Sequence, residues 1–201
     1  MFKILDEEKP EYLTVTFDVH APTFRHEMFA DYKGTRKPMA EELRQQVPVI
    51  KDVLRAMHIE VIEKAGLEAD DLLGTLSHRC EEKGMDVSII SGDRDTLQLA
   101  TEHIKIRIPK TKQGKTEVED YYAADVQERY GVTPKEFIDV KALMGDTADN
   151  IPGVPGVGEK TATKIIQQYQ TIENAYEHVD ELKPPRASKN LKEFWEQAQL
   201  S

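Results

Sequence analysis

Acidic residues are concentrated in two short stretches of this sequence. The stretches hold Glu68, Asp70 and Asp71, and then Asp93 and Asp95. The first stretch opens a segment with helical spacing, and the second directly follows a short apolar run that predicts a buried strand. Carboxylates that meet where a helix begins and a strand ends repel one another, and burial raises that cost. A hard divalent cation with oxygen ligands would offset the repulsion, so the pattern predicts a metal site.

Three further acids lie at predicted element boundaries and extend the same site. They are Asp18, Asp146 and Asp149. Two Mg²⁺ ions, for which Mn²⁺ can substitute, would use such carboxylate oxygens to promote in-line displacement at phosphorus. No histidine pair or cysteine pair in the sequence offers a zinc alternative. Each acidic pair alone also fits a helix N-terminus or a turn, but their recurrence at several boundaries favours the metal site.

The composition is that of an ordinary globular protein and leaves the partner open. The 201 residues are 39% hydrophobic, enough for one core and a small second lobe. The net charge is −10, but subtracting the eight acids of the predicted site from the 37 acidic residues leaves 29, against 27 basic ones. No apolar run approaches the roughly 18 residues that cross a bilayer, and the single cysteine, Cys80, fits a reducing compartment. We therefore expect a cytoplasmic protein without membrane association.

Strands and helices alternate along the first half of the chain. Predicted strands end near Asp18 and Ser91, and another, Ile104–Pro109, precedes a turn at Gln113–Gly114. This alternation predicts an α/β fold over residues 1–118, with a mainly parallel sheet covered by helices on both faces. Ligands of parallel sheets collect beyond the carboxyl ends of the strands, where Asp18 and Asp93 are predicted to lie.

The second part of the chain, residues 119–201, has the pattern of helices only. Predicted helices include Pro134–Met144 and Glu159–Tyr169, with a turn-rich segment between them. No disordered linker separates this part from the first. We therefore expect an all-helical lobe attached directly to the α/β core.

A glycine-rich stretch, Gly153–Thr161, opens the second of these helices. A phosphate-binding P-loop needs lysine directly after its glycine and a strand before it, whereas Glu159 intervenes here, which argues against nucleoside triphosphate hydrolysis. The stretch is typical of a hairpin between two helices, whose backbone amides accept a nucleic-acid phosphate without reading sequence. A tight turn with solvated lysines explains it equally well. The residues of this predicted nucleic-acid site are Gly153, Gly156, Gly158, Lys160, Thr161 and Lys164.

Five motifs together resemble one known family. They are FDVHAPTFRHE (Phe17–Glu27), YKGTRKP (Tyr32–Pro38), EADD (Glu68–Asp71), SGDRD (Ser91–Asp95) and GDTADNIPGVPGVGEKTA (Gly145–Ala162). In this order the chain resembles the 5′-to-3′ exonuclease domain of bacterial DNA polymerase I, within the flap endonuclease superfamily. The resemblance implies a PIN-like nuclease core and a lobe with a helix-hairpin-helix motif over residues 145–169.

The resemblance also implies how the acids divide between two metal ions. The first ion would be surrounded by Asp18, Glu68, Asp70, Asp71 and Asp93, and the second by Asp93, Asp95, Asp146 and Asp149. The implied reaction is metal-dependent hydrolysis of a DNA phosphodiester bond near a 5′ end, nick or flap, used in primer removal and repair.

DNA contacts are implied in two further regions. Residues 21–44 would form a helical arch that threads a free 5′ strand, in which Arg25, Tyr32, Lys33 and Arg36 grip the scissile phosphate. This region is rich in basic and aromatic residues, as single-strand contact surfaces are. The hairpin would hold the downstream duplex, with a K⁺ ion beneath it. We expect the protein to act as a monomer.

The chain departs from the family pattern at both ends. The family's domain opens with a strand that carries another metal-binding aspartate, and no such segment precedes Asp18. We therefore expect the family's first strand and last helices to be missing, and a polymerase region to accompany the domain in a full-length protein. The alternative is a truncated, catalytically silent DNA-binding module. A third hypothesis, an RNA-cleaving nuclease of similar topology, is disfavoured by the Gly153–Gly158 hairpin.

Overall fold

The strands form two separate sheets within the residues that the structure describes. The computed structural model describes residues 2–112 and 115–201. In the first sheet, β1 (Thr14–Thr16) pairs in parallel with β2 (Glu60–Ile62). In the second, β3 (Val87–Ile90) pairs in parallel with β4 (Ile104–Lys112), which pairs antiparallel with β5 (Lys115–Tyr121).

By its internal contacts the chain divides into two units. The first unit comprises Met1–Ala30 and Arg36–Arg79, and the second comprises Asp31–Thr35 and Cys80–Ser201. Each sheet belongs to one unit. The predicted α/β class, with parallel strand pairs followed by a helical C-terminal part, is confirmed.

The first unit places three helices and most of a fourth around its small sheet. They are α1 (Phe2–Glu8), α2 (Phe24–Met28), α3 (Glu41–Ala56) and α4 (Ala69–Glu81). Lys51 anchors α3 in this unit, because its ammonium lies 5.0 Å from the centre of the Phe17 ring and also forms an ion pair with Glu63. Phe17 directly follows β1, so this contact holds the helix beside the strand that leads to Asp18.

The second unit packs its helices around an aliphatic core. Leu97, Ile104 and Leu143 are fully buried there. The helices are α5 (Ala123–Tyr130), α6 (Pro134–Met144), α7 (Glu159–Tyr169), α8 (Ile172–Glu177), α9 (Pro185–Glu193) and α10 (Trp195–Leu200). α6 and α7 have the bounds that the sequence predicts. Across residues 2–112 and 115–201, no helix is both long and apolar enough to cross a membrane.

β5 is a strand that its sequence pattern does not reveal. Its residues are mainly polar, and it is held by its ladder to β4 and by cross-strand ion pairs such as Arg107 Nε donating to Asp120 Oδ1 over 2.8 Å. The division predicted between residues 118 and 119 falls inside this strand. The turn predicted at Gln113–Gly114 lies outside the described residues.

The buried Tyr121 makes the stability of the second unit fall at alkaline pH. Its ring is buried at the end of β5, and its hydroxyl donates to Glu119 Oε2 over 2.8 Å. Burial, together with this hydrogen bond, raises the pKa of Tyr121 from 10.0 to about 12. Because the unfolded phenol ionises at lower pH than the folded one, its contribution to stability is complete below pH 10 and is lost as pH rises to about 12.

We therefore expect Tyr121→Phe to blunt the loss of thermal stability in alkali. Between pH 10 and pH 12 the Tm of the variant should fall by about 5 °C less than that of the wild type. Thermal unfolding followed by circular dichroism at several pH values measures this difference. Tyr12→Phe is the control, because the Tyr12 side chain is 75% exposed. Parallel pH profiles for the wild type and Tyr121→Phe would contradict the assignment.

Candidate active site and nucleic-acid interface

Four of the predicted metal ligands lie around the start of α4 in the first unit. This first acidic group consists of Asp18, Glu68, Asp70 and Asp71. The Oδ1 of Asp18 accepts a hydrogen bond from the Ala69 amide over 2.7 Å, and the Oδ2 of Asp71 accepts one from the Glu68 amide over 2.9 Å. Two of the four carboxylates therefore cap amides at the positive end of the helix, which stabilises them and fixes where they lie.

Arg25 contributes a positive charge to the first acidic group. Its Nη1 and Nη2 donate to Asp71 Oδ2 and Oδ1 over 2.9 and 2.8 Å, the fork geometry in which arginine binds a carboxylate most strongly. The guanidinium also lies 4.5 Å from the centre of the Phe24 ring. A residue predicted to grip phosphate is thus the partner of a predicted metal ligand in this structure.

The second acidic group lies in the second unit and consists of Asp93, Asp95, Asp146 and Asp149. Asp93 follows β3 and caps the 3₁₀ turn Arg94–Leu99, because its Oδ1 accepts from the Asp95 amide over 2.9 Å. The Oδ1 of Asp146 accepts from the amides of Ala148 and Asp149 over 2.7 and 3.2 Å, which shapes the loop after α6. The carboxylates of Asp93 and Asp146 are therefore held by backbone amides close to them in the chain.

Lys141 lies between two carboxylates of the second acidic group. Its Nζ is 3.0 Å from Asp95 Oδ1 and 2.5 Å from Asp146 Oδ2. Burial alone would raise the pKa of Asp146, but the hydrogen bond and charge of Lys141 outweigh it and lower that pKa below its ordinary value. Burial raises the pKa of Asp95, and the charge of Lys141 only partly opposes this. The pKa of Lys141 is raised because its two carboxylates outweigh its own burial, so its ammonium stays charged at neutral pH.

Asp149 joins the second acidic group to the segment Asp31–Thr35. The Tyr32 hydroxyl donates to Asp149 Oδ2 over 3.2 Å, and the Lys33 amide donates to the Asp149 carbonyl over 2.8 Å. The Lys33 ammonium lies 4.0 Å from the same carboxylate. Tyr32 is only 6% exposed, so its hydroxyl contacts a predicted ligand while its ring is covered. Arg36 belongs to the first unit and is exposed.

The donor set fits a hard divalent cation, because all eight predicted ligands are carboxylates. Within residues 2–112 and 115–201, however, no group of three or more acidic, histidine or cysteine side chains is arranged to hold a metal ion. The first and second acidic groups each contribute four of the eight carboxylates, and basic side chains neutralise part of each group. The assignment of the acids to two metal ions therefore stays a prediction.

The glycine hairpin depends on a close backbone contact. Gly145 and Gly153 have φ of 72° and 58°, and a Cβ on Gly145 would lie 2.5 Å from the Ile151 carbonyl oxygen and 2.6 Å from the Gly153 nitrogen. Neither position has room for a side chain. The Val154 amide then donates to the Leu143 carbonyl over 2.8 Å, which ties the hairpin to α6. Gly153 is thus required by packing.

The other face of the hairpin is open. A Cβ on Gly158 would meet no described atom within 4 Å, and this residue has φ of −98°, which any residue adopts. In the described part of the chain, the amides of Gly156, Gly158, Glu159 and Lys160 donate to no protein acceptor. Lys160 and Lys164 are exposed on α7, and Thr161 is half-buried. Unsatisfied amides beside two lysines form the surface that a phosphate would contact.

The structure adds two basic residues that the motifs do not mark. Lys141 is one, and a lysine among the apolar residues of α6 is the signal that could have identified it. Arg186 is the other, since its Nε and Cζ would lie 3.1 and 3.3 Å from a Cβ on Gly156, so its guanidinium packs on the hairpin. Arg186 lies on α9, far along the chain, and nothing in its sequence context indicates this contact. The side-chain Nδ2 of Asn190, also on α9, donates to the Pro155 carbonyl over 2.6 Å.

The chain belongs to the 5′-3′ exonuclease family. Residues 1–131 match the family described as 5′-3′ exonuclease, N-terminal resolvase-like domain, and residues 132–201 match 5′-3′ exonuclease, C-terminal SAM fold. These matches confirm the resemblance carried by the five motifs.

Its relatives include bacterial DNA polymerases. The chain is 47% identical over 199 residues to DNA polymerase I of Bacillus caldotenax, covering 99% of this chain and 22% of the relative. It is 45% identical over 201 residues to DNA polymerase I of Bacillus subtilis (strain 168), covering 100% of this chain and 23% of the relative. The chain therefore spans less than a quarter of the length of these relatives.

Solved structures share the fold. The 5′-exonuclease of bacteriophage T5 with bound zinc ions has a TM-score of 0.83 at 25% identity, over 99% of this chain and 75% of that chain. The flap endonuclease of bacteriophage T5, in a complex with DNA and metal ions, has a TM-score of 0.82 at 24% identity, over 99% and 75% of the two chains. The catalytic core of Rad2 in complex with a DNA substrate has a TM-score of 0.57 at 18% identity, over 90% and 57%. Below 25% identity, the last two show the fold alone.

Proposed function

We propose that this chain is a metal-dependent 5′-3′ exonuclease and flap endonuclease that hydrolyses DNA phosphodiester bonds by a two-metal mechanism. Family membership supports the reaction class, and the divalent ions bound in the T5 5′-exonuclease support the dependence on metal. The observation that carries the proposal is the contact of Tyr32 and Lys33 with Asp149. Lys33, a predicted phosphate contact, thus lies beside Asp149, a predicted metal ligand.

The proposed site has two parts, the carboxylates that would hold metal ions and the side chains that would contact the DNA strand. Bound Mg²⁺ ions would supply an activated water and charge stabilisation for the departing oxygen. The carboxylates of the two acidic groups would hold these ions. Lys33 would contact a phosphate oxygen beside Asp149, and Tyr32 would keep that carboxylate in place. Arg25 and Arg36 would contact the same 5′ strand.

The hairpin would hold duplex DNA through its backbone. The free amides around Gly158 and the exposed ammonium groups of Lys160 and Lys164 would contact successive phosphates without reading bases. A K⁺ ion is part of the proposal and would use hairpin carbonyls, of which those of Gly153 and Pro155 already accept from Gln197 and Asn190. Cytoplasmic location, a monomeric state and a polymerase region in the full-length protein complete the proposal.

A flap-cleavage assay tests the proposed reaction. A duplex with a labelled 5′ flap is incubated with the chain in Mg²⁺, in Mn²⁺ and in EDTA. We expect cleavage near the flap junction in either metal and none in EDTA. Matched RNA and DNA flaps offered together distinguish a DNA nuclease from an RNA nuclease. Cleavage that persists in EDTA, or no cleavage of any 5′-flap, nicked or 5′-ended duplex, would overturn the proposal.

If Lys160 contacts a phosphate, removing its side chain should weaken duplex binding without changing its sequence preference. Lys160→Ala should reduce duplex affinity several-fold on all sequences alike and lower the slope of log Kd against log salt by about one. Fluorescence anisotropy on two unrelated duplexes over a range of KCl concentrations measures both quantities. Lys83→Ala is the control, since Lys83 is an exposed lysine that precedes β3. A loss confined to one sequence would contradict a backbone contact.

A catalytically silent DNA-binding module is the second candidate function. It is favoured because no group of three candidate ligands is arranged to hold a metal within the described ranges, and because Arg25 and Lys141 already neutralise ligands of both acidic groups. The amides of the hairpin that donate to no described protein acceptor, and its exposed lysines, belong to neither acidic group. Duplex binding without cleavage, at high protein concentration in Mg²⁺ and Mn²⁺, would favour this candidate over the nuclease.

A further inference from the structure

Lys141 is fixed in place by the helix that carries it. Its neighbours on α6, Val140, Ala142 and Leu143, are all buried in the core of the second unit. The side chain of Lys141 is itself only 24% exposed, and those of Asp95 and Asp146 are 36% and 19% exposed. The ammonium therefore occupies a defined position, unlike that of a lysine on a solvated surface, whose ion pairs contribute little.

The two carboxylates on Lys141 come from different elements. Asp95 lies in the 3₁₀ turn after β3, and Asp146 lies in the loop after α6. The Oδ1 of Asp146 accepts from two backbone amides, and its Oδ2 accepts from Lys141. Among the described residues, Lys141 is the one basic side chain that forms an ion pair with either carboxylate. Without it, like charges would face each other across this part of the site.

We propose that Lys141 is a positioning residue that serves as a built-in counter-ion of the second acidic group. It holds Asp95 and Asp146 together when no divalent cation is bound, and it sets the affinity of that group for such cations. The inference rests on the proposed function, because it treats both aspartates as ligands. The nearby positive charge lowers the affinity of the group for a metal ion. Because the same charge offsets the repulsion between the two aspartates, the fold is stable without metal.

Removing the charge should therefore have opposite effects with and without metal. In EDTA, Lys141→Met leaves two half-buried carboxylates without their partner, and we expect its Tm to be about 5 °C below that of the wild type. Mg²⁺ or Mn²⁺ then supplies the missing positive charge, so the variant should gain more Tm from metal than the wild type gains. Its dissociation constant for Mn²⁺ should be roughly tenfold lower than that of the wild type.

Thermal unfolding in EDTA and in graded Mg²⁺, together with calorimetric titration by Mn²⁺, provides readouts that do not depend on activity. Lys192→Met is the matched control, since Lys192 pairs with Asp180 at the surface, and its response to metal should equal that of the wild type. Lys141→Gln, which keeps a polar group on α6, repeats the measurement if the methionine variant does not fold.

The outcomes separate this inference from the proposed function. A greater metal-induced rise in Tm for Lys141→Met or Lys141→Gln than for the wild type supports the counter-ion role. An equal or smaller rise, with the wild type still responding to metal and cleaving flaps, overturns the role of Lys141 alone. A wild type that neither responds to metal nor cleaves DNA overturns both the inference and the proposed nuclease.

Discussion

Asp93→Asn is expected to abolish Mg²⁺-dependent cleavage of a 5′ flap while DNA binding is retained. Asp93 follows β3 at its carboxyl end and is the acid assigned to both metal ions. Its structural task is to accept a hydrogen bond from the Asp95 amide, and an asparagine Oδ1 can do the same. The substitution therefore removes the charge and leaves the cap. Loss of several kcal/mol of metal-mediated stabilisation corresponds to a fall in kcat of about 10³-fold or more.

The measurement pairs single-turnover flap cleavage with duplex affinity by anisotropy. Asp86→Asn is a control of the same chemistry at the opposite end of β3, because Asp86 directly precedes the strand and contacts the exposed His103. We expect it to cleave at the wild-type rate. Since the hairpin lies on other elements of the second unit, Asp93→Asn should bind duplex within about twofold of the wild type. Equal losses of binding and cleavage would show that Asp93 maintains the fold instead.

The sequence predicted which helix and strand ends the acids border, but not which side chains they contact. Helical periodicity and strand patterning located the start of α4 and the end of β3, so Glu68 and Asp93 were correctly expected at element ends. The pairs Arg25–Asp71 and Lys141–Asp95 join residues 46 positions apart in sequence in each case. Such contacts are decided by tertiary packing, which local periodicity does not contain.

The arch residues show the same limit. A basic segment with interleaved aromatics is typical of a single-strand contact surface, and Tyr32 fitted that pattern. Tyr32 is buried because its segment binds the loop of Asp149 and Asn150. The Tyr32 hydroxyl donates to Asp149, and the side-chain Nδ2 of Asn150 donates to the Asp31 carbonyl over 2.8 Å. Lys33, its neighbour, keeps its ammonium beside Asp149. The contacts of this segment therefore depend on a loop more than a hundred residues away in sequence.

The hairpin glycines looked alike in the sequence, and the structure gives them different tasks. Gly153 has φ of 58° and lies against the Gly145 backbone, whereas Gly158 has an ordinary φ and open space around its Cα. A glycine that neither strain nor packing requires is best explained by the close approach of a ligand. The pair therefore separates a role in folding from a role in binding.

Gly153→Ala is accordingly expected to destabilise the second unit by about 3 kcal/mol, and by more if the backbone of Gly145 cannot move. In urea or thermal unfolding this appears as a Tm lower by about 5 to 10 °C, and duplex binding should fall with the folded fraction. Gly158→Ala should change the free energy of unfolding by less than about 1 kcal/mol.

The same Gly158→Ala variant should bind duplex DNA about tenfold more weakly, because its methyl group stands where the amides of the hairpin meet a phosphate. Anisotropy at constant salt, on protein shown to be folded by circular dichroism, measures this loss. Gly84→Ala is the control, because Gly84 lies before β3 in the chain and also has open space around its Cα; its φ of 75° will cost some stability. Wild-type affinity in folded Gly158→Ala would mean that the open face of the hairpin does not contact DNA, and Gly153 would then explain the motif by packing alone.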